Sequence, residues 1–168
     1  MNGGALAYAI AACSLGRVLV ATTALGVRAI ELGDDDDAVI AALERHLPNA
    51  ELRRDDLALQ ATLDAVVALV DDPAAPFGLT LDVRGTAFQQ RVWDALRAVR
   101  PGVPVTYATL ARAVGSPHAA QAVGAACAAN RLAVAIPCHR TMRADGTLAG
   151  YRWGIERKRA LLARERGA

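Results

Sequence analysis

The stretch VTYATLARAVGSPHAAQAVGAACAANRLAVAIPCHR, residues 105–140, carries the signals that decide the fold of its half of the chain. Its first part, TYATLARAV, has helical spacing, and Gly115 follows where a helix ends on a left-handed residue. Ser116 and Pro117 then suit the cap and the first position of a second helix that runs to Asn130. Two helices joined by a tight glycine turn form a helix-turn-helix pattern, which occurs in DNA-binding proteins and also in helical hairpins that bind no nucleic acid.

The residues after that helix lead into a Cys-His-Arg triplet. LAVAIPCHR, residues 132–140, is an apolar stretch that we predict to be extended, and it ends at Cys138, His139 and Arg140. A free thiol with a pKa of about 8.5 is only a few per cent thiolate at neutral pH, so a nucleophilic cysteine needs a base or a cation beside it. Two interpretations are open at this point: a nucleophile at Cys138, or a structural thiol beside a surface arginine.

The other two cysteines indicate packing and not metal binding. Cys13 falls in a predicted strand and Cys127 in a helix of small residues, where buried thiols act as small apolar side chains. The three cysteines lack the C-x-x-C spacing of a zinc site, and the three histidines are scattered. We therefore predict no metal site and no cofactor.

Two further helices flank this region. TAFQQRVWDALRAV, residues 86–99, starts with Thr86 and Gln89 at capping-box spacing. Its predicted buried stripe repeats at helical intervals: Phe88, Val92, Leu96 and Val99. GIERKRALLARERGA, residues 154–168, predicts an amphipathic helix with arginines outward. Its inward residues are Ile155, Leu161 and Leu162.

The first half of the chain predicts an α/β unit. Three short apolar stretches separated by turn signals predict a small antiparallel sheet: Leu6–Cys13, Arg17–Thr22 and Val27–Leu32. Two helices follow, VIAALERHL (39–47) and DDLALQATLDAVVALVDD (55–72). Aspartates lead into or open each of them, where they favourably oppose the helix dipole. We find no catalytic constellation in this half.

Composition excludes several classes of protein. The chain has 168 residues, of which 54% are apolar and 21% charged, so it is too apolar to be disordered, and three cysteines are too few for a disulfide scaffold. No apolar run reaches the roughly 18 residues that a membrane span needs, so we predict no membrane partner. The opening MNGGALAYAIAACSLG lacks the basic start of a signal peptide, and we expect a cytoplasmic protein.

The modest net charge of +2 hides an asymmetry between the two halves. Residues 1–83 carry five arginines against thirteen acidic residues, a net charge of −8, whereas residues 84–168 carry fourteen basic residues against four acidic ones, a net charge of +10. This split predicts two domains, 1–83 and 84–168, with the basic one facing a polyanion. The alternative is an arginine-rich source composition, which the ratio of 18 arginines to one lysine supports.

The PCHR motif in this setting resembles the signature of a known family. AIPCHR, preceded by Asn130, is similar to the active-site sequence of the methylated-DNA–protein-cysteine methyltransferases, which repair O6-alkylguanine. The similarity extends through RGTAFQQRVWDALRAV, VTYATLARAVGSP, AACAANRLAVAIPCHR and GYRWGIERKRALLARE. The opening, YAIAACSLGRVLVATTALGVRAIELGDDD, resembles the start of the C-terminal half of the bacterial adaptive-response regulators. Nearly the whole chain is covered.

The resemblance implies an α+β fold of two domains. The N-terminal α/β domain would be ribonuclease-H-like with a small antiparallel sheet, and the C-terminal domain a mainly helical winged helix that holds the chemistry. The implied protein is a monomer without a cofactor that binds double-stranded DNA in the minor groove. It would flip an O6-alkylated guanine, or an O4-alkylated thymine, into a pocket and keep the alkyl group irreversibly.

The family's catalytic roles carry over to the matching positions. Cys138 would attack as the thiolate, and His139 would take its proton through a water molecule. Glu165 would orient that histidine, as the carboxylate of a catalytic triad does. Asn130 would tie the recognition helix to the active-site segment. Tyr107 would crowd a phosphate and donate a proton to the leaving guanine.

The resemblance also implies a substrate pocket and a DNA-binding surface. The implied pocket residues are Cys127, Thr141, Tyr151, Arg152 and Trp153. Backbone carbonyls of Cys138 and Thr141 would face the guanine amine, and a backbone N–H near Arg152 would face O6. Trp153, where some relatives have glycine, would narrow the pocket and disfavour bulky alkyl groups. The implied DNA contacts are Tyr107, Ser116, His118, Ala119, Ala120, Gln121 and Arg140.

One residue departs from the family's pattern. The arginine that fills the gap left by the flipped base falls at Gln121, which lacks the charge and the planar fork of arginine. We expect weaker DNA binding or slower flipping, unless the flipping energy comes from elsewhere or the alignment shifts locally.

Two other functions are weighed against repair. A binding-only sensor of alkyl damage is one, and the intact Cys138 argues against it. The other is a cysteine hydrolase that uses Cys138 and His139, but adjacent residues seldom form a nucleophile–base pair directly.

Overall fold

The computed structural model describes residues 5–166. The first four residues of the opening stretch and the last two of the predicted terminal helix lie outside the described residues. The chain forms two compact units: one runs up to Val83 and includes Arg131–Ala133, and the other consists of Arg84–Asn130 and the residues from Val134 onward. Residues 131–133 thus belong to the first unit although they lie far beyond Val83 in the sequence, so a single domain boundary after Val83 does not describe the division. The separate roles assigned to 1–83 and 84–168 stay predictions.

The first unit is built on a four-stranded sheet. Its strands are β1 (Leu6–Cys13), β2 (Gly16–Thr23), β3 (Gly26–Gly33) and β4 (Leu52–Arg54), in the order β3-β2-β1-β4. The three predicted antiparallel strands are confirmed. β4, a fourth strand that the sequence analysis does not predict, pairs with β1 in parallel. A helix connects β3 to β4 and returns the chain in the same direction, which is how a parallel neighbour arises.

Helix α1 (Asp36–His46) makes that connection. Asp35 caps it, because the Asp35 carboxylate accepts a hydrogen bond from the backbone N–H of Ala38 at 2.8 Å, which confirms the acidic start signal. Val39 and Leu43 on this helix are completely buried among apolar side chains of the sheet. This packing forms a hydrophobic core within the first unit.

Helix α2 (Gln60–Asp71) starts later than predicted. The Asp55 carboxylate accepts the backbone N–H of Ala58 at 3.0 Å, and the Asp56 carboxylate accepts the backbone N–H of Ile10 at 3.2 Å. These aspartates therefore hold a turn and its attachment to β1. They do not open the helix.

The second unit is mainly helical. Its elements in chain order are α3 (Ala87–Arg97), β5 (Val105–Thr106), α4 (Tyr107–Ala113), α5 (Ala120–Ala128), a 3-10 turn (Cys138–Arg140), β6 (Thr141–Met142) and α6 (Ile155–Glu165). β5 and β6 form a short parallel pair. Together the two units have the mixed α+β composition that the sequence predicts. Within residues 5–166, none of the helices has both the length and the apolarity needed to cross a membrane.

The start of α3 is confirmed, but its buried face is wider than predicted. Thr86 Oγ1 accepts the backbone N–H of Gln89 at 3.1 Å, and Gln89 Oε1 accepts the backbone N–H of Thr86 at 3.0 Å, which is the predicted capping box. Trp93 is buried beside the predicted stripe, and its Nε1 donates to the carbonyl of Ala126 at 2.9 Å. Phe88 is only half-buried.

The turn between α4 and α5 is longer than predicted. Gly115 has a φ of +79°, which confirms the left-handed residue after α4. Ser116 and Pro117 do not cap and open α5; they lie in a turn in which the Ser116 carbonyl accepts the backbone N–H of Ala119 at 2.9 Å. Because this turn closes first, α5 begins only at Ala120.

The segment between α5 and the 3-10 turn is not extended as predicted. Ile30 donates its backbone N–H to the Arg131 carbonyl at 2.9 Å and accepts the N–H of Ala133 at 3.2 Å, so this short piece adds to β3. The backbone then turns at Val134, whose φ of +67° is left-handed. A β-branched residue adopts that conformation only under strain. The result is a bent connector that ends in the turn carrying the PCHR motif.

Candidate active site

Cys138 lies at the first position of the 3-10 turn, with only 4% of the residue exposed. Its Sγ accepts a hydrogen bond from Asn130 Nδ2 at 3.3 Å. The same nitrogen donates to the carbonyl of Ile136 at 2.9 Å, which also accepts the backbone N–H of Cys138 at 2.8 Å. Asn130 is itself buried, and it therefore joins the end of α5 to the turn that carries the thiol.

Burial opposes ionisation of this thiol. It raises the pKa of Cys138 to about 11, although the hydrogen bond from Asn130 and the positive charge of Lys158 act in the opposite direction. At neutral pH the resting side chain is thus a thiol. A nucleophilic Cys138 requires a group that removes its proton.

His139 and Glu165 form a buried pair beside the thiol. His139 Nε2 and Glu165 Oε1 are 2.7 Å apart, and both side chains are completely buried. Burial lowers the pKa of His139 more than Glu165 raises it, so the imidazole is neutral at neutral pH. A neutral ring that donates from Nε2 carries its lone pair on Nδ1, and Nδ1 is buried without a hydrogen-bonding protein atom among the described residues. This nitrogen can accept a proton.

Arg140 completes the cluster. Its Nε and Nη2 both lie 2.9 Å from Glu165 Oε1, and its Nη1 donates to the carbonyl of Val99 at 2.8 Å. Burial raises the pKa of Glu165, but the hydrogen bonds from His139 and Arg140 outweigh it and hold that pKa below its ordinary value. Arg140, which the resemblance assigns to DNA contact, is buried and directs its guanidinium at Glu165 and Val99, and its contact with DNA stays a prediction.

Lys158 is a site residue that the sequence analysis missed. It lies on α6, it is completely buried, and its Nζ donates to Thr141 Oγ1 at 3.4 Å and to the carbonyl of Ala149 at 3.2 Å. A signal exists in the sequence: the single lysine of an arginine-rich chain stands three residues before Leu161, on the inward stripe of the helix. The prediction that α6 turns only apolar residues inward is therefore incomplete.

The thiol opens into a cavity of about 340 Å³. Its lining residues are Tyr107, Gly124, Cys127, Ala128, Cys138, Thr141, Gly150, Tyr151 and Arg152. Of the implied pocket residues, Cys127, Thr141, Tyr151 and Arg152 thus share one cavity with Cys138. Helix α5 contributes the small residues of this lining, Gly124, Cys127 and Ala128.

Trp153 does not line this cavity, contrary to its assignment as a pocket residue. It is buried, and its ring packs edge-on against the ring of Tyr151 with centroids 5.2 Å apart. Trp153 therefore supports the wall that Tyr151 forms. A steric effect of Trp153 on the cavity therefore acts through the position of Tyr151.

The residues implied to contact DNA lie in different surroundings. His118 and Gln121 are exposed, at the turn before α5 and in its first turn, whereas Ser116, Ala119 and Ala120 are half-buried. Tyr107 begins α4 and reaches the cavity. The exposed face of α5 thus consists of small side chains with one glutamine, and it carries no charge.

Comparison with known proteins places this arrangement in a family. A family model described as 6-O-methylguanine DNA methyltransferase, DNA binding domain, matches residues 87–167. A crystal structure of Mycobacterium tuberculosis OGT in complex with DNA superposes on the chain with a TM-score of 0.80 and 32% sequence identity, covering 95% of this chain and 92% of that one. The chain belongs to the O6-methylguanine-DNA methyltransferase family. The resemblance that the PCHR motif carries is confirmed.

Two further relatives show how far the similarity to methyltransferases extends. The bifunctional transcriptional activator/DNA repair enzyme Ada of Escherichia coli strain K12 is 52% identical over 161 residues, which are 96% of this chain and 46% of that protein. The chain thus spans about half the length of this relative. O6-methylguanine-DNA methyltransferase from the archaeon Pyrococcus kodakaraensis strain KOD1 has a TM-score of 0.73 and 26% identity, over 97% of this chain and 99% of that one.

The thiol site lies entirely inside the part of the chain that matches the methyltransferase model. Asn130, the PCHR motif, Lys158 and Glu165 all fall within residues 87–167. The methyltransferase structures also match the mixed α+β fold of the chain along nearly its whole length.

Proposed function

We propose that the chain repairs DNA by transferring the alkyl group of O6-alkylguanine, and of O4-alkylthymine, to Cys138. The observation that carries this proposal is the Sγ of Cys138, which faces a cavity of about 340 Å³ and is backed by a buried His139–Glu165 pair. The names of the matched relatives, which include a DNA repair enzyme and methyltransferases, support the same reaction.

The buried histidine removes the proton of the thiol. A water molecule between Cys138 Sγ and His139 Nδ1 passes the proton to the ring, whose Nε2–H is already held by Glu165. The imidazolium that forms is stabilised by the adjacent carboxylate. Lys158 and the amide of Asn130 favour the thiolate by charge and by hydrogen bonding.

The thiolate then displaces the base in a single step. The S–C bond forms as the bond between the alkyl carbon and O6 breaks, and the electron pair of that bond goes to the guanine. Tyr107, which lines the cavity, gives its phenolic proton to the leaving guanine. The product thioether has no route back to a thiol within this site, so each molecule acts once.

The depth of the thiol requires that the base leave the duplex. An atom of a stacked base cannot reach a sulfur of a residue that is only 4% exposed, so the alkylated nucleotide rotates into the cavity. Backbone groups near Thr141 and Arg152 then hold the guanine edge, and Tyr151 forms one wall. The reaction needs no cofactor.

The helix pair α4–α5 approaches the DNA. We infer that α5 is the recognition helix of a winged-helix domain and that its small exposed face enters the minor groove. Gln121 occupies the place of the flipped base, and the remaining contacts come from Tyr107, Ser116, His118, Ala119 and Ala120. The basic residues of 84–168 hold phosphates around this helix.

The first unit supports the fold and does not take part in the chemistry. Residues 1–83 carry the net negative charge of −8, which disfavours contact with phosphate. We infer that this domain is ribonuclease-H-like and that the protein acts on double-stranded DNA as a monomer.

Mass spectrometry tests the reaction directly. After mixing with duplex DNA that contains O6-methylguanine, we expect a mass gain of one methylene per molecule, located on the peptide that carries Cys138. The Cys138→Ala variant should gain nothing, and Cys13→Ala, a thiol of the first unit, should behave as the unmodified protein. A protein that binds the DNA without gaining mass is a damage sensor, and that result would overturn the proposal.

A further inference from the structure

The side chain of Arg152 lies at the mouth of the cavity that contains Cys138, and the transfer reaction leaves it unused. Some of the lining residues are buried and form the floor: Cys127, Cys138 and Thr141. Others are exposed and therefore form the mouth: Ala128, Gly150 and Arg152. Among the described residues that line the cavity, Arg152 alone is a charged residue type.

This side chain extends from one side of the mouth to the other. Arg152 Nη1 donates to the carbonyl of Ala128 at 3.4 Å, so it joins the segment before α6 to the last residue of α5. The last carbonyls of a helix have no N–H partner within the helix, which leaves this oxygen available to a side chain. Because usual N–H···O distances are about 2.7–3.2 Å, the contact is weak and a stronger acceptor can replace it.

No carboxylate neutralises this guanidinium within residues 5–166. Its one hydrogen-bond acceptor there is the carbonyl of Ala128, whereas the guanidinium of Arg140 pairs with the carboxylate of Glu165. An exposed guanidinium with a single weak, neutral partner can bind an anion. Its planar fork of N–H groups matches two oxygens of one phosphate, with charge-assisted hydrogen bonds that are stronger than a bond to a neutral carbonyl.

The chemistry of the proposed substrate places a phosphate at this mouth. When the alkyl group of a flipped base reaches Cys138 on the floor, the sugar and its phosphates stay at the entrance, because they remain joined to the duplex. On the α5 side of the entrance no charge is available, since Ala120–Ala128 contains no ionised side chain. Arg152 supplies positive charge from the opposite side.

We propose that the Arg152 guanidinium binds a phosphate that flanks the alkylated nucleotide once the base has entered the cavity, and that it exchanges the carbonyl of Ala128 for this phosphate. The inference rests on the proposed function, since it needs a nucleotide that has left the duplex. Arg152 is thereby a positioning residue. It stabilises the flipped nucleotide and not the first encounter with DNA.

Neutral phosphates test this contact in the full chain. Duplexes with O6-methylguanine are prepared with a methylphosphonate at the phosphate on the 5′ or the 3′ side of the lesion, which removes the negative charge there and leaves the base unchanged. A methylphosphonate in the distal part of the duplex is the DNA control. Single-turnover methyl transfer at subsaturating DNA is measured for the wild type, for Arg152→Gln and for Arg53→Gln, which changes an exposed arginine on β4.

We expect Arg152→Gln to slow transfer from the all-phosphate duplex by roughly threefold to thirtyfold, as loss of one charge-assisted contact at an exposed position predicts. A methylphosphonate at one of the two flanking positions should slow the wild type and Arg53→Gln by a similar factor. It should slow Arg152→Gln by less than about twofold, because the contact is already absent. Transfer from free O6-methylguanine, which has no phosphate, should be equal in all three proteins.

Three results would overturn the inference. The first is equal slowing of the wild type and Arg152→Gln by the methylphosphonate at each flanking position. The second is the same loss with free O6-methylguanine as with duplex DNA in Arg152→Gln, and the third is an effect of the distal methylphosphonate as large as that of the flanking ones. If the wild type gains no methyl group from the all-phosphate duplex, the proposed function fails instead.

Discussion

Glu165 carries the buried negative charge that His139 and Arg140 contact. It accepts hydrogen bonds from both His139 and Arg140, so it neutralises a buried guanidinium and fixes the orientation of the His139 ring. Removing its charge deprives the buried guanidinium of Arg140 of this carboxylate, and the carbonyl of Val99 carries no full charge to replace it. Breaking a buried ion pair at one side is strongly destabilising, because the remaining charge is desolvated and uncompensated.

We expect Glu165→Gln to lower the free energy of unfolding by about 3–5 kcal/mol at pH 7, measured by urea denaturation. Methyl transfer should slow at least tenfold under conditions where the variant is folded, because the imidazolium loses its anionic partner. Glu156→Gln is the matched control, since Glu156 lies on the same helix, is exposed, and pairs with Arg159 at the surface. That change should alter stability by less than about 1 kcal/mol.

The stability difference between the two proteins depends on pH in a definite direction. The pKa of Glu165 in the folded chain lies below its ordinary value of 4.5. Its stabilisation is therefore present above pH 4.5 and is lost as the pH falls through the folded pKa. The difference between wild type and Glu165→Gln should shrink on acidification, and a difference that grows at acid pH would contradict the assigned ion pair.

At the level of elements, α5 shows which features of a helix local sequence signals determine and which they do not. The capping box of α3 and the left-handed Gly115 depend on residues within one turn, and both are confirmed. Ser116-Pro117 has the composition of a helix start as well, but the hydrogen bond from Ala119 to Ser116 closes a turn that composition does not reveal. Local signals therefore fix the existence of α5 and not its first residue.

The site shows the same limit for contacts distant in sequence. The family resemblance implies the pairing of His139 with Glu165, and the two side chains are in contact. The resemblance also assigns Arg140 to DNA. A basic residue beside a catalytic motif gives no indication that a carboxylate 25 residues later binds it. Lys158 was missed for a related reason: a buried lysine is rare unless polar groups surround it, and those groups come from Thr141 and Ala149 on other segments.

Gln121 is the position of α5 where a substitution tests the role of the whole helix. It is exposed in the first turn of α5, so an arginine side chain at this position can extend away from the protein. We expect Gln121→Arg to speed methyl transfer from duplex DNA, because arginine adds charge and a planar donor to the space left by the flipped base. Transfer from free O6-methylguanine should be unchanged.

Ala122→Arg, at the next exposed position, is the control, because it adds the same charge and should increase the rate of methyl transfer less. An equal increase in both variants, or no increase with Gln121→Arg, would contradict the role assigned to Gln121.

For the whole molecule, the distribution of charge distinguishes two units of opposite character. The chain leaves the second unit after Asn130, pairs with β3 through residues 131–133, and re-enters the second unit at Val134. Residues 131–133 thus form their backbone hydrogen bonds with Ile30 of β3. A fragment that begins at Arg84 would lack β3, so measurements of DNA binding should use the full chain.

Salt dependence of DNA binding measures which unit holds the phosphates. Each phosphate contact contributes about −0.9 to the slope of log K against log salt concentration for duplex DNA. Arg112 is exposed in the last turn of α4, within the helix pair that we infer to face DNA, whereas Arg53 is exposed on β4 of the acidic unit.

We expect Arg112→Ala to make this slope shallower by about 0.9 and Arg53→Ala to leave it unchanged. The measurement is fluorescence anisotropy with undamaged duplex DNA from low to moderate salt concentration. Equal slopes for all three proteins would mean that the charge of +10 on residues 84–168 reflects composition and not a phosphate-binding surface.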